Sequence, residues 1–139
     1  MLLITLQDYA TKKIITFGSR PYNNTNPQVK YVLCKDEAHL LREFLAYWRE
    51  NLPEVVTGWN SQMYDIPYLA GRINRILGEK SMKDLSPWGL VSQQEVYIHG
   101  RRNISYDIGG VTQLDYLDLY KRFTYTNQES YRLDYIANY

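Results

Sequence analysis

The chain has 139 residues, which suffices for one domain and excludes a multidomain enzyme on this polypeptide. Sixteen basic and fifteen acidic residues leave a net charge of +1, so binding of nucleic acid or of an anionic membrane would need a local patch. The single cysteine, Cys34, excludes an intramolecular disulfide and a cysteine-based zinc site, and it indicates a reducing, intracellular setting. No apolar run is long enough to span a membrane.

The first third of the sequence predicts short strands. Apolar runs at Leu2–Leu6 and Ile14–Phe17 are joined by the polar segment Gln7–Lys13, a spacing that predicts a hairpin. Ser19–Gln28 holds two prolines and three asparagines, and we expect a loop there. Val29–Leu33 returns to the pattern of a strand.

A helix and another strand are predicted next. Apolar residues at intervals of three and four predict a helix over Asp36–Leu52, with Asp36 as N-cap and Pro53 ending it. The β-branched run Val55–Trp59 then predicts a strand. The order strand, helix, strand favours a crossover unit in which this strand is buried in the sheet.

A second helix is predicted over Ile66–Leu77, with Gly78 at the position typical of a C-terminal glycine cap. The segment Asn60–Asp65 therefore lies between a predicted parallel strand and a helix. In open α/β sheets, ligands bind at the carboxyl ends of such strands. This segment is the first candidate for a functional site.

The remaining elements are predicted with less regular patterns. A polar stretch around Lys80 to Pro87 is followed by a predicted hairpin of Glu95–Ile98 and Ile104–Ile108 around the basic tip His99–Asn103. A strand is predicted at Val111–Leu114 and a short helix at Leu117–Phe123. A last helix is predicted with Ser130 as its cap and with Tyr131, Leu133 and Ile136 facing inward. The last helix pattern reaches Tyr139 without a stop signal, and we expect the chain to be part of something longer.

One segment resembles a known motif. Gly58–Tyr68 resembles the second exonuclease motif of family B DNA polymerases, in which an asparagine is followed by an aromatic residue and an aspartate and then by Ile-Pro-Tyr. Leu114–Phe123, Thr126–Gln128 and Ser130–Ile136 resemble the same region of the polymerases of T-even-like bacteriophages, in the same order and spacing. The resemblance covers nearly the whole chain.

The resemblance implies a fold and a chemistry. It implies an α/β, mixed-sheet, RNase H-like domain from the 3′→5′ proofreading exonuclease of a DNA-directed DNA polymerase. The reaction would be two-metal hydrolysis of the primer 3′ end with Mg²⁺ or Mn²⁺. The partner would be single-stranded or primer-template DNA, bound through the parent polymerase, and a phage protein would work in the host cytoplasm.

The resemblance also assigns roles to five residues. Asp65 would be the catalytic metal ligand, although the same residue could simply be the N-cap of the following helix. Asn60 would hydrogen-bond near the scissile nucleotide, or be an ordinary turn asparagine. Tyr64 would stack on an unpaired base. Arg101 and Arg102 would contact phosphate from a hairpin that reaches the primer-template, or be a solvated tip.

Other chemistry-bearing residues have simpler interpretations. Trp59 ends a predicted buried strand, and we expect it in the core. Of Asp115 and Asp118, one is predicted to end a strand and the other to cap the short helix, so we do not expect them to form a pair of catalytic carboxylates. His39 and His99 are too far apart in sequence to suggest a metal site.

The resemblance predicts that the domain is incomplete. A working site of this kind also needs Asp-x-Glu and Tyr-x-x-x-Asp, and neither pattern occurs in the sequence. The family places the first before the segment that matches Leu2–Phe17 and the other after Ile136. One carboxylate cannot hold two divalent cations, so we expect residues 1–139 alone to bind Mg²⁺ weakly and to be inactive.

Two consequences remain open. A complementary polymerase chain could restore activity, and the exposed apolar surface of an incomplete domain could make the chain self-associate. The alternative interpretation is a non-catalytic RNase H-like module that binds DNA or a partner polymerase chain.

Overall fold

In the computed structural model, which describes residues 1–139, the chain has the expected mixed α/β architecture. The elements are β1 Leu3–Gln7, β2 Ile14–Gly18, β3 Val29–Leu33, α1 Glu37–Glu50, β4 Val55–Gly58, α2 Asp65–Leu77, α3 Glu79–Lys83, β5 Val91–Ile98, β6 Arg101–Ile108, β7 Thr112–Asp115, α4 Tyr116–Phe123 and α5 Leu133–Asn138. They form two compact units, Met1–Leu52 with Arg72–Leu85 and Pro53–Gly71 with Ser86–Tyr139. None of the helices has the length and apolar character that crossing a bilayer requires.

The first unit contains a three-stranded sheet in the order β1-β2-β3. Strands β1 and β2 pair antiparallel, which confirms the predicted hairpin, and β3 pairs parallel with β2 from Ile14 opposite Val29. The predicted loop separates β2 from β3. Alternating apolar positions of β2 bury Ile15 and Phe17.

Helix α1 supplies the core of the first unit. Asp36 is its N-cap, as predicted, because a side-chain oxygen of Asp36 accepts a hydrogen bond from the backbone N–H of His39 at 2.8 Å. The buried stripe of α1 consists of Leu40, Leu41, Phe44, Leu45 and Trp48. The ring of Phe44 meets that of Phe17 edge to face at 6.2 Å, and the indole N–H of Trp48 donates to the carbonyl of Leu85 at 2.9 Å.

A charged cluster in the first unit centres on Glu37. Its carboxylate accepts two hydrogen bonds from Arg72, at 2.6 and 2.5 Å, and lies 2.8 Å from the amino group of Met1. The bonds from Arg72, opposed by desolvation and supported by the Met1 amine, lower the pKa of Glu37 from 4.5 to about 2. The ionised form of Glu37 is therefore favoured by the folded state.

This cluster predicts an acid-dependent loss of stability. Because the pKa of Glu37 is lower in the folded than in the unfolded chain, its contribution is complete above about pH 4.5 and is lost as the pH falls toward 2. Glu37→Gln should lower the free energy of unfolding at neutral pH, and its difference from wild type should shrink across that interval. Urea unfolding over the pH range measures this. Glu79→Gln, at a surface pair with Lys83, is the control, and a pH-independent difference for Glu37→Gln would contradict the prediction.

The second unit contains a parallel pair of short strands, β4 and β7, with Val55 opposite Thr112 and Gly58 opposite Asp115. The predicted crossover is therefore wrong, since β4 pairs with β7 rather than with the strand before α1. The prediction of a buried strand also fails, because exposed and half-buried residues alternate along β4. A β-branched run predicts a strand but carries no information on its partner.

The hairpin of the second unit is longer than predicted. Strands β5 and β6 pair antiparallel up to Ile98 opposite Arg101, and only His99 and Gly100 form the turn. Both have positive φ, 49° and 75°, as a two-residue type I′ turn requires. Arg101 and Arg102 thus begin strand β6 and do not lie in a flexible tip. Before the hairpin, the predicted polar stretch contains the short helix α3, which the sequence analysis missed.

The C-terminal elements are confirmed in part. Helix α4 forms where predicted, but α5 begins at Leu133 and Ser130 is not its N-cap. The hydroxyl of Ser130 instead accepts from the N–H of Arg132 at 3.3 Å in the preceding turn. Leu133 is 55% exposed, so its predicted inward orientation is wrong, whereas Tyr131 and Ile136 are half-buried. A helix of 6 residues buries too few side chains for apolar periodicity to set its orientation.

Candidate functional site

The candidate site is the loop of residues 59–64, which connects β4 to α2 in the second unit. Strands β4 and β7 run parallel and end together, with Gly58 opposite Asp115. The loop therefore leaves the carboxyl edge of a parallel pair, as the sequence predicts. This edge is where open α/β structures place ligand-binding residues.

The carboxylate of Asp115 lies at the centre of this edge and is buried. One of its oxygens accepts from the backbone N–H of Asn60 at 2.8 Å and from that of Leu117 at 2.9 Å, and the other accepts from the N–H of Gln62 at 3.0 Å. Asp115 both ends β7 and caps α4, so the prediction that one of the two aspartates ends the strand and the other caps the helix is wrong: Asp118 lies within the first turn of α4. The bonds of Asp115 to the loop were missed, because nothing in the sequence links residues 60 and 62 to residue 115.

Asn60 combines a special backbone conformation with an uncommitted side chain. Its φ of 59° is in the left-handed region, which asparagine tolerates better than most residues. Its carbonyl accepts from the N–H of Tyr64 at 3.0 Å, so Asn60 is also a turn residue. The carboxamide makes no hydrogen bond within the chain and is available to a ligand.

Asp65 is the first residue of α2, so it is not the N-cap that the simpler interpretation required. Its side chain reaches solvent, but partial desolvation, and to a lesser extent the nearby negative charge of Asp115, raise the pKa of Asp65 above its usual value. A cation bound at Asp65 would relieve both effects. The electrostatics of this position thus favour a positively charged ligand.

The structure also tests whether this chain can hold two metal ions. No group of three histidine, cysteine, aspartate or glutamate side chains is arranged to bind a metal. The carboxylate near Asp65 is that of Asp115, whose oxygens already accept three backbone N–H groups. The residues of this chain alone do not fit a two-metal centre, and of the neighbouring carboxylates Asp65 and Asp115, Asp65 is the one left available.

Aromatic side chains flank the loop in two different ways. The ring of Trp59 packs against that of Tyr120 at 5.7 Å, and its indole N–H donates to the carbonyl of Tyr131 at 3.0 Å, so it is half-buried rather than in the core. Tyr64 is 66% exposed, and its ring lies nearly parallel to that of Tyr68, with centroids 6.4 Å apart. Tyr68 was missed, although its spacing of four residues from Tyr64 on a helix could have indicated it.

An open groove of about 910 Å³ runs beside the loop within the second unit. It is lined by Trp59, Asn60, Tyr64, Arg132, Leu133, Asp134 and Ala137. The structure thus brings Asn60 and Tyr64 to one surface. Arg132 was not predicted as a site residue from the sequence. Its exposed guanidinium lies 3.8 Å from the carboxylate of Asp134.

The two predicted phosphate-binding arginines do not line this groove. Both are exposed on β6, where Arg102 forms an ion pair with Glu95 on the neighbouring strand. Arg101 makes no ion pair. Of the two, Arg101 therefore carries the charge that a nucleic acid would find uncompensated.

Comparison with known proteins adds independent information. A protein-family model described as "DNA polymerase family B, exonuclease domain" matches residues 1–136. The DNA-directed DNA polymerase of Escherichia phage RB69 is 41% identical over 113 residues, and so is that of Enterobacteria phage T4. Each alignment covers 81% of this chain and 12% of the phage protein, so this chain spans a small part of the length of these relatives.

Proposed function

This chain belongs to the exonuclease-domain family of the family B DNA polymerases, and we propose from this premise that it contributes part of the 3′→5′ proofreading exonuclease of a DNA-directed DNA polymerase. On this proposal, residues 1–139 are a partial exonuclease domain without the first and third exonuclease motifs. The observation that carries it is the position of Asp65, directly after a loop that leaves the carboxyl edge of a parallel strand pair and bears Asn60 and Tyr64.

Asp65 is the metal ligand that this chain contributes. Exonuclease domains of this family use divalent metal ions, and carboxylate oxygens suit Mg²⁺ or Mn²⁺. The raised pKa of Asp65 and the commitment of Asp115 to backbone N–H groups support Asp65 rather than Asp115 in this role. The remaining ligands come from another part of the polymerase, either the same polypeptide or a complementary chain.

Asn60 and Tyr64 contact the DNA. The free carboxamide of Asn60 can donate to and accept from a nucleotide, and the exposed ring of Tyr64 offers a face on which an unpaired base can stack. Stacking tolerates any base, as removal of a mismatched primer end requires. Arg101 and Arg102 contact phosphate from the hairpin.

Exposed apolar side chains support a larger assembly. Leu3, Trp88 and Phe123 are among the large apolar residues that solvent reaches in this structure. Scattered exposure is ordinary, but exposed apolar side chains of this size are also sites at which a partner can bind. We propose that the rest of the polymerase covers them, and self-association is the expected behaviour of the chain when that partner is missing.

The DNA contact of Tyr64 can be measured on this chain. Tyr64→Ala should weaken binding of single-stranded DNA about fivefold to a hundredfold, because stacking of one base contributes about 1–3 kcal/mol. Fluorescence anisotropy with a labelled oligonucleotide measures this. Tyr22→Ala removes a comparably exposed ring of the first unit and is the control. Equal affinity of the Tyr64→Ala variant and wild type would contradict the assignment.

The alternative function is a binding module without catalysis. It is favoured because no group of three histidine, cysteine, aspartate or glutamate side chains is arranged to hold a metal ion, and because the carboxylate of Asp115 is committed to backbone N–H groups. Such a module would bind DNA in a salt-dependent way that is lost with Arg101 and Arg102 and is indifferent to Asp65. Substitution of Asp65 in a complete polymerase distinguishes the two functions.

A further inference from the structure

We propose that Asp115 is a positioning residue of the exonuclease site, which holds the 59–64 loop so that Asn60 and Asp65 keep their places at the end of β4. This inference rests on the proposed function for its catalytic meaning. The positioning itself is a property of the loop and can be tested separately.

The carboxylate of Asp115 accepts more hydrogen bonds than a helix cap needs. An N-cap side chain accepts from one or two N–H groups of the helix that it begins, and Asp115 does this at Leu117. Its other two bonds go to Asn60 and Gln62, which precede it by 55 and 53 residues. The carboxylate therefore joins the two segments that leave the parallel strands, and its burial shields these bonds from water.

These hydrogen bonds also maintain an unusual backbone conformation at Asn60. Asn60 has a φ of 59°, which asparagine tolerates better than most residues but which still costs energy for a residue with a Cβ. The loop before it is tight, because a Cβ on Gly58 would lie 2.9 Å from the Cβ of Ser61. The charged hydrogen bond from the N–H of Asn60 to Asp115 offsets this cost.

Backbone hydrogen bonds within the loop fix the position of Asp65. The N–H of Tyr64 donates to the carbonyl of Asn60 at 3.0 Å, and the N–H of Ile66 donates to that of Ser61 at 2.9 Å. Asp65 lies between these two donors. A shift of Asn60 and Ser61 would therefore move the start of α2 and the carboxylate that it carries.

Backbone amide exchange on the 139-residue chain tests the positioning. In wild type, the amides of Asn60 and Gln62 should exchange more slowly than that of Met63, which has no acceptor. Asp115→Ala should speed exchange at Asn60 and Gln62 about tenfold or more. Asp118→Ala removes an exposed carboxylate paired with Arg122 and should leave the loop unchanged.

A conservative variant sharpens the test. In Asp115→Asn, the amide oxygen can still accept from Asn60 and Leu117, whereas the NH₂ group faces the N–H of Gln62, so exchange should rise mainly at Gln62. Changes confined to α4 would overturn the proposal, since they indicate a cap alone. If Asp115→Ala fails to fold, the wild-type comparison still decides, because exchange of Asn60 and Gln62 as fast as Met63 also overturns it.

Excision by a polymerase assembly that contains this chain gives the catalytic readout. Asp115→Asn should lower the kcat of excision about ten- to a hundredfold, with a smaller change in the KM for DNA and with polymerisation unchanged, because a small displacement of a reacting group is costly. Excision that Asp65→Ala abolishes and Asp115→Asn leaves intact would overturn the positioning role alone. Excision that survives Asp65→Ala would instead overturn the proposed function.

Discussion

Replacement of Asp65 by alanine is expected to lower 3′→5′ excision by the polymerase assembly about a thousandfold or more, while polymerisation continues at the wild-type rate. Loss of a ligand to a catalytic metal removes several kcal/mol of transition-state stabilisation, and each 1.36 kcal/mol is about tenfold in rate. Degradation of a 5′-labelled mismatched primer measures excision, and nucleotide incorporation on a matched primer measures polymerisation. The separation of the two activities is the essential result.

Two controls accompany this experiment. Asp118→Ala removes another aspartate of the same unit, exposed and paired with Arg122, and should leave excision unchanged. The 139-residue chain without the rest of the polymerase should not digest single-stranded DNA with Mg²⁺ or Mn²⁺. Digestion by that chain that disappears in Asp65→Ala would show that its own residues complete the site, contrary to the proposal.

Replacement of Phe44 by alanine is expected to lower the free energy of unfolding by about 3–5 kcal/mol, the range typical of large aromatic residues removed from a core. Phe44 is fully buried, and its ring contacts those of Phe17 and Trp48 at centroid distances of 6.2 and 5.6 Å. A natural domain has only about 5–15 kcal/mol of stability in total, so this loss would leave much of the chain unfolded at moderate urea concentrations. Urea titration followed by tryptophan fluorescence measures it.

A surface aromatic residue provides the reference for that measurement. Tyr125 is fully exposed, and Tyr125→Ala should change the free energy of unfolding by less than about 0.5 kcal/mol. Similar losses for the Phe44→Ala and Tyr125→Ala variants would mean that α1 does not form the core of its unit. A change in the slope of the titration would indicate an altered unfolded state rather than a lost contact.

Local elements could be predicted from the sequence because their signals are local. Helix α1 combines a 3.6-residue period with an N-cap at Asp36, and both signals lie within a few residues of the positions that they determine. The pairing of β4 with β7 depends on residues more than 50 positions apart, for which a single sequence gives no register. The length of the β5–β6 hairpin was also missed, because its polar strand residues resemble those of a loop.

The residues of the candidate site that could be predicted are also those that are close in sequence. Asn60, Tyr64 and Asp65 lie in one continuous segment, and one sequence motif predicted all three. The bonds of Asp115 to the loop, and the place of Arg132 on the groove, depend on which strand lies beside β4 and where α5 begins.

The short turn of the β5–β6 hairpin limits what its arginines can do together. Because Arg101 and Arg102 are consecutive residues of an extended strand, their side chains leave opposite faces of the ribbon. A DNA strand that lies along one face can meet only one of the two guanidinium groups. A ribbon inserted into a frayed primer end would therefore present the uncompensated charge of Arg101 to one strand and Arg102, already paired with Glu95, to the other, so that loss of Arg101 should weaken DNA binding more than loss of Arg102.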